Sequence, residues 1–382
     1  MPPERRTFVR ALCAGSIVGL AGCPEAADTG DGTRTDTDGV DSPTEQRAIA
    51  TETETATLRE TDTATAAGTE TTGTEATGTE ARAGLADAAD PLPEAVEITV
   101  AKDGSGDVET VEAAVAAAPT SSRTETRVRI EPGRYHEQVT VPESKRNLTF
   151  VGTGEGPAET VLTYDSGKGT STSASVTVEA EGFTARNLTF ENAYGRGTQA
   201  VALLATGSRA TFLNCRFLGR QDTLFADGPG ATQYYRDCYV EGTTDFVFGG
   251  ANALFADSEI RCLADASYVT AASTPESAAF GLTFVDCEVT TTDPDQWVYL
   301  GRPWKPHATT SFVHCHLGEH VVPEGWHNWG DPAKEETAYY AEYDNEGPGW
   351  KPDQRVDWVH VLDDDAGAAY TRENVLGGWN PA

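Results

Sequence analysis

Five short segments decide the architecture: FLNCRF (212–217), YRDCYV (235–240), FADSEI (255–260), FVDCEV (284–289) and FVHCHL (312–317). Each reads aromatic, any residue, polar, Cys or Ser, any residue, apolar. They recur at roughly 20 to 29 residues, the spacing of coils in a β-solenoid. Coils of that kind stack short strands in register and bury a shared interior. Cys215, Cys238, Ser258, Cys287 and Cys315 then form one inward ladder of small side chains. The NLTF segments at Asn147 and Asn187 read as weaker members, which would make both core rungs rather than glycan acceptors.

Around this repeat, β-rich runs such as Val128–Ile130 and Val139–Val141 alternate with Gly, Asn and Asp turns. One helix is expected, from Thr110 to Ala118, ended by Pro119. The fold class is therefore all-β, a parallel β-helix in a single catalytic domain over 93–382. Five cysteines lie in that domain, with Cys262 outside the repeat, so they cannot all pair internally. Packed interior thiols fit the ladder better than a disulfide framework.

The N-terminal part has a different composition. Arg5 and Arg6 precede a short apolar run, Ala11 to Gly22, too short to span a bilayer. Residues 1–22 therefore read as an export signal of the twin-arginine type. Leu20-Ala21-Gly22-Cys23 has the form of a lipobox, so Cys23 is the expected lipidation site and membrane anchor. Residues 23–92 are Thr, Glu, Asp, Ala and Gly with almost no aromatics, an acidic tether expected to be disordered. The expected location is extracellular, at the cell surface.

Net charge is −32, from 60 Asp and Glu against 28 Lys and Arg. That balance argues against nucleic acid as a partner, because phosphate binding needs clustered positive charge. An acidic, lysine-poor surface suits high salt, where screening removes the cost of self-repulsion, so a halophilic source is expected.

The repeat phase also places chemistry. Asp222 and Asp245 each lie seven residues after a ladder cysteine, Cys215 and Cys238. Equivalent positions on adjacent coils stack at about 4.8 Å, so two carboxylates come side by side. Stacked like charges disfavour joint ionisation, an arrangement active sites use to separate two pKa values. Other readings are weaker. His314, His316 and His320 could suggest zinc, but His314 and His316 flank Cys315 and point outward when it points in. Asp363 to Asp365 reads as a surface turn rather than a calcium site. No G-x-S-x-G nucleophile elbow is present.

The segments GRQDTL (219–224), GTTDFVFG (242–249), LGRPW (300–304) and QAVAL (199–203) closely resemble the signatures of the pectin methylesterase family. The likeness runs from near Val100 to the Tyr343–Trp350 region. The resemblance implies a right-handed parallel β-helix that hydrolyses methyl esters of polygalacturonate, releasing methanol, with no cofactor and no metal. It implies Asp245 as nucleophile, Arg302 as the partner keeping its pKa low, and Asp222 as general acid then base. Gln199 and Gln221 match the amides that stabilise the oxyanion. Trp304, Phe225 and Phe248 resemble sugar-binding aromatics of the cleft. Arg220, Phe225 and Thr244 depart from the usual family residues, which bears on subsites rather than on the reaction. Pectin is the expected partner and a monomer the expected working unit. The alternative is the same fold acting on a different acyl ester or thioester; a non-catalytic carbohydrate-binding solenoid and a chain-cutting lyase or glycosidase fit the residue set less well.

Overall fold

The computed structural model describes residues 96–381. The export signal, Cys23 and the tether lie outside the described residues. Within them, strands form three all-parallel sheets, of eleven, seven and eight strands, that the chain visits in turn on each coil. The register is continuous: Phe212 lies beside Tyr235, Tyr235 beside Phe255, Phe255 beside Phe284 and Phe284 beside Phe312. This is the parallel β-helix expected from the repeat.

The repeat residues build the interior. Rings of the aromatic ladder stack at 4.4–4.7 Å between centroids, nearly parallel, and are wholly buried. Each such ring contributes about 1.5–3 kcal/mol by burial, with a further share from offset stacking. The polar residue between aromatic and thiol turns the chain at the sheet corner. Asn214, Asp237, Asp257, Asp286 and His314 all have φ of 49–54° there, a left-handed conformation that Asn and Asp tolerate. The five cysteines among the described residues are free and buried, and the four ladder thiols are aimed at backbone carbonyls. Burial pushes Cys215 up to about 12, so these thiols pack rather than react.

The ladder is longer than the repeat suggests. Leu188 precedes Cys215, and Asn345 follows Cys315, donating its amide to the Phe312 carbonyl and accepting from the Cys315 N–H. On that coil Glu342 takes the aromatic position beside Phe312. The Arg355 guanidinium binds it at 2.7 and 3.0 Å and the Trp326 indole N–H at 2.9 Å, closing the end of the core.

Two expectations need correction. Asn147 and Asn187 are not core rungs within strands; both sit in turns at φ 56° and 58°. Nor are they equivalent, since Thr149 pairs with Thr184, which puts Asn147 level with Gly182, at the opposite end of the strand from Asn187. Their shared NLTF spelling hides different corners. The helix is found at Val111–Ala117, with the Thr110 hydroxyl accepting from the Ala113 N–H as its cap. Asp363, instead of sitting in a simple turn, caps a short helix over Asp364–Gly367. His314 and His316 are exposed on either side of buried Cys315, whereas His320 is buried. Burial and the Arg261 charge push His320 down to about 4.

Candidate active site

The site lies on the outer face of the seven-stranded sheet. Leu204, Phe225, Phe248 and Ala271 occupy equivalent outward positions on successive coils. With Ala174 and Val201 they form an apolar cluster separate from the main core, flanked by Trp304 and Trp329. Phe225 and Phe248 stack at 4.2 Å, and Trp304 leans over both at 6.2 and 6.0 Å. All three aromatics expected in the cleft are therefore neighbours.

Asp222 and Asp245 head two of these coils. Leu224 pairs with Val247 and Phe225 with Phe248, so the two aspartates are level, as the repeat phase requires. Their backbones are in the left-handed region, at φ 62° and 51°. Around Asp245 the register slips: Thr244 faces Tyr268 and Val247 faces Thr270, leaving Asp245 and Phe246 opposite Val269 alone. A bulge of this kind re-aims a side chain; it turns Asp245 outward while Phe246 stays wholly buried. Gly242 makes this corner possible, since a Cβ there would lie 2.2 Å from that of Phe246.

Arg302 reaches Asp245 from two coils away. Gly301 pairs with Thr270, and a Cβ on Gly301 would meet the Thr270 hydroxyl at 2.0 Å, so only glycine lets the GRPW coil seat this closely. Between the Phe248 and Arg302 rows stands the small Ala271, leaving the guanidinium room to cross. Its Nε and Nη2 donate to the two Asp245 oxygens at 2.9 and 2.6 Å, a bidentate pair.

The two carboxylates meet different surroundings. Burial pushes Asp222 up to about 7, the Asp245 charge adds to the rise, and hydrogen bonds from Gln199 and Gln221 together with the Arg302 charge oppose it. Asp245 is raised by burial too, against the strong opposition of Arg302. The expectation that Arg302 holds Asp245 low is therefore corrected: the arginine limits a rise that desolvation causes. The outcome still separates the pair. Near neutral pH Asp222 carries a proton part of the time, and Asp245 has the fixed cation that favours its charge.

Gln199, Gln221, Asp222, Asp245, Phe248, Arg302 and Trp304 line one cleft. Thr170, Ala271 and Trp329 line it as well and escaped the sequence reading. So did Tyr268, whose ring lies against the Arg302 guanidinium at 3.9 Å, as the Trp329 ring does at 3.7 Å. Tyr268 stands level with Thr244 on the next coil, so the repeat phase beside Asp245 held the signal for it. Trp329 comes from a loop beyond the repeat and had none.

Fold and site together define a β-helical ester hydrolase. Residues 97–378 match the family model described as pectinesterase. Pectinesterase 31 of Arabidopsis thaliana is 38% identical over 287 residues, which are 71% of this chain and 89% of that protein. Pectinesterase 4 of the same plant is 36% identical, with 74% of this chain matching 50% of its length. Among solved structures, the pectin methylesterase from carrot superposes with a TM-score of 0.70 at 34% identity, covering 74% of this chain and 93% of that one. The pectin methylesterase PemA from Erwinia chrysanthemi gives 0.65 at 28%, covering 76% and 98%. The chain belongs to the pectinesterase family.

Proposed function

We propose that the protein hydrolyses the methyl esters of pectin by attack of Asp245 on the ester carbonyl. The observation that carries this reading is the unequal environment of two level carboxylates. Asp245 is gripped at both oxygens by Arg302, and Asp222 is buried against two amides with its pKa near neutrality. An ionised, aimed carboxylate is a competent nucleophile. Attack forms a C–O bond from Asp245 to the ester carbon and moves the carbonyl electrons onto oxygen. The side-chain amides of Gln199 and Gln221, which line the same cleft, receive that oxyanion in this reading. Collapse breaks the bond to methoxide, which takes the Asp222 proton and leaves as methanol. Asp222, now a base, takes a proton from water as the water attacks the anhydride. This releases the galacturonate carboxylate and restores Asp245. Phe225, Phe248 and Trp304 supply apolar faces for the sugar ring beside the reacting ester.

One solved relative at 27% identity is a pectin methylesterase in complex with a hexasaccharide, which favours a polymeric substrate in the cleft over a small ester. We further infer export by the 1–22 signal, a lipid anchor at Cys23 and extracellular action at the cell surface in high salt. The support is the RRTFVR and LAGC segments and the −32 net charge. Among the described residues no helix is long and apolar enough to cross a membrane.

The test is methanol release from highly methylated pectin in concentrated salt, run beside acyl-thioester cleavage and a reducing-end assay. The expected result is methanol without new chain ends. Folded protein that cleaves thioesters and releases no methanol at any salt would overturn the pectin assignment.

A further inference from the structure

Arg302 owes its orientation to more than Asp245. Its guanidinium carbon lies over both the Tyr268 and the Trp329 rings, 3.9 and 3.7 Å from their centroids. The two rings come from distant parts of the chain, the coil after Asp245 and the loop after Trp326, and one side chain joins them. His327 Nδ1 lies 3.2 Å from the Trp329 backbone nitrogen and 3.3 Å from the Tyr268 hydroxyl. The Trp329 N–H donates to Nδ1, so the ring proton sits on Nε2 and the single Nδ1 lone pair is shared between that N–H and the tyrosine hydroxyl. We propose that His327 is a positioning residue, whose Nδ1 ties Tyr268 to Trp329 and so holds both aromatic faces on the arginine that grips Asp245.

Three further observations agree. Trp329 sits at φ 63°, a conformation costly for a bulky residue unless its surroundings enforce it; its N–H bond to His327 is one such restraint. The His327 backbone N–H donates to the Gly301 carbonyl, which anchors the link directly beside Arg302. Burial and the nearby Arg302 charge hold His327 below its ordinary range, favouring the neutral ring that can accept. The inference rests on reading Arg302 as the partner of the nucleophile, and its test separates the two.

The full chain, labelled with nitrogen-15 arginine, reports Arg302 through its Nε–H resonance, assigned by its loss in Arg302→Lys. In the parent this signal is expected to be sharp and protected from solvent exchange. His327→Leu removes the acceptor and is expected to broaden the signal and lower kcat about tenfold or more, with KM changed less than about twofold. His327→Asn keeps an acceptor near the Nδ1 position and is expected to restore both the signal and most of kcat. Should His327→Leu fail to fold, Tyr268→Phe deletes one bond while keeping the ring, and the same broadening is expected. An unchanged Arg302 signal in His327→Leu or Tyr268→Phe overturns the proposal, as does an Asn variant impaired as deeply as Leu. A parent that releases no methanol while the signal responds as described contradicts the esterase reading and leaves the positioning link standing.

Discussion

Asp222 is the residue whose environment costs the fold most visibly. It is 4% exposed and its carboxyl is raised from the ordinary 3.8 to about 7 by burial and by Asp245. A raised folded-state pKa in an acid means the native state binds the proton more tightly than the unfolded chain does. Its penalty is absent below pH 3.8, grows as pH rises through that window, and is complete above about 7. Asp222→Asn removes the charge and is expected to stabilise the protein by about 1–3 kcal/mol at pH 8, with little effect at pH 4. Thermal melts at the two values check this, and an equal shift at both would contradict it. The positions of Asp222 and Asp245 were legible in the sequence, because seven residues separate each from its ladder cysteine. Their left-handed backbones and the bulge that turns Asp245 outward were not. Nothing in GTTDFVFG distinguishes a bulge from a regular strand, since Phe246, Val247 and Phe248 form one continuous apolar run with no alternation to fix the register.

At the scale of elements, the coils owe their stability to the aromatic ladder and their closure to a buried ion pair. Glu342 and Arg355 are 0% and 2% exposed at their side chains, and the Trp326 indole N–H joins them. Glu342→Gln leaves the Arg355 charge buried without its partner and is expected to cost about 3–5 kcal/mol, read as a lower urea midpoint. Loss below about 1 kcal/mol would mean that water reaches Arg355. This coil was hidden from the repeat, because Glu342 replaces the aromatic and Asn345 the cysteine. The reason is physical. Beyond Glu342 the sheet continues only as the short strand His360–Val361, so polar groups finish a core that apolar residues continue. Of the two NLTF segments, that at Asn187 joins the ladder through Leu188 and that at Asn147 does not, since a turn asparagine suits either corner of a coil and its local sequence does not say which.

For the whole molecule, the repeat makes a long rigid face and the seven-stranded sheet spends it on one site. Residues far apart in sequence, Gln199 to Trp329, meet there because each coil returns the chain to the same surface. Reading along the chain could align what the period aligns, namely the two aspartates. It could not supply His327 and Trp329, which lie in a loop beyond the repeat and reach the site through their side chains. The acidic surface and the N-terminal segments concern where the enzyme works rather than how. Loss of radiolabelled lipid incorporation in Cys23→Ser, with the protein shifting from membrane to medium, is the expected outcome for an anchored enzyme; unchanged membrane partitioning would remove the anchor.

The chemistry converges on a single atom pair, the Asp245 carboxylate oxygens held by Arg302. The direct measurement is the rate of methanol release from methylated pectin by Asp245→Asn, whose amide keeps the shape and cannot attack. The account expects a loss of about 10⁴-fold or more, with an unchanged circular dichroism spectrum and retained binding of pectin. Full or near-full activity in that variant would contradict it.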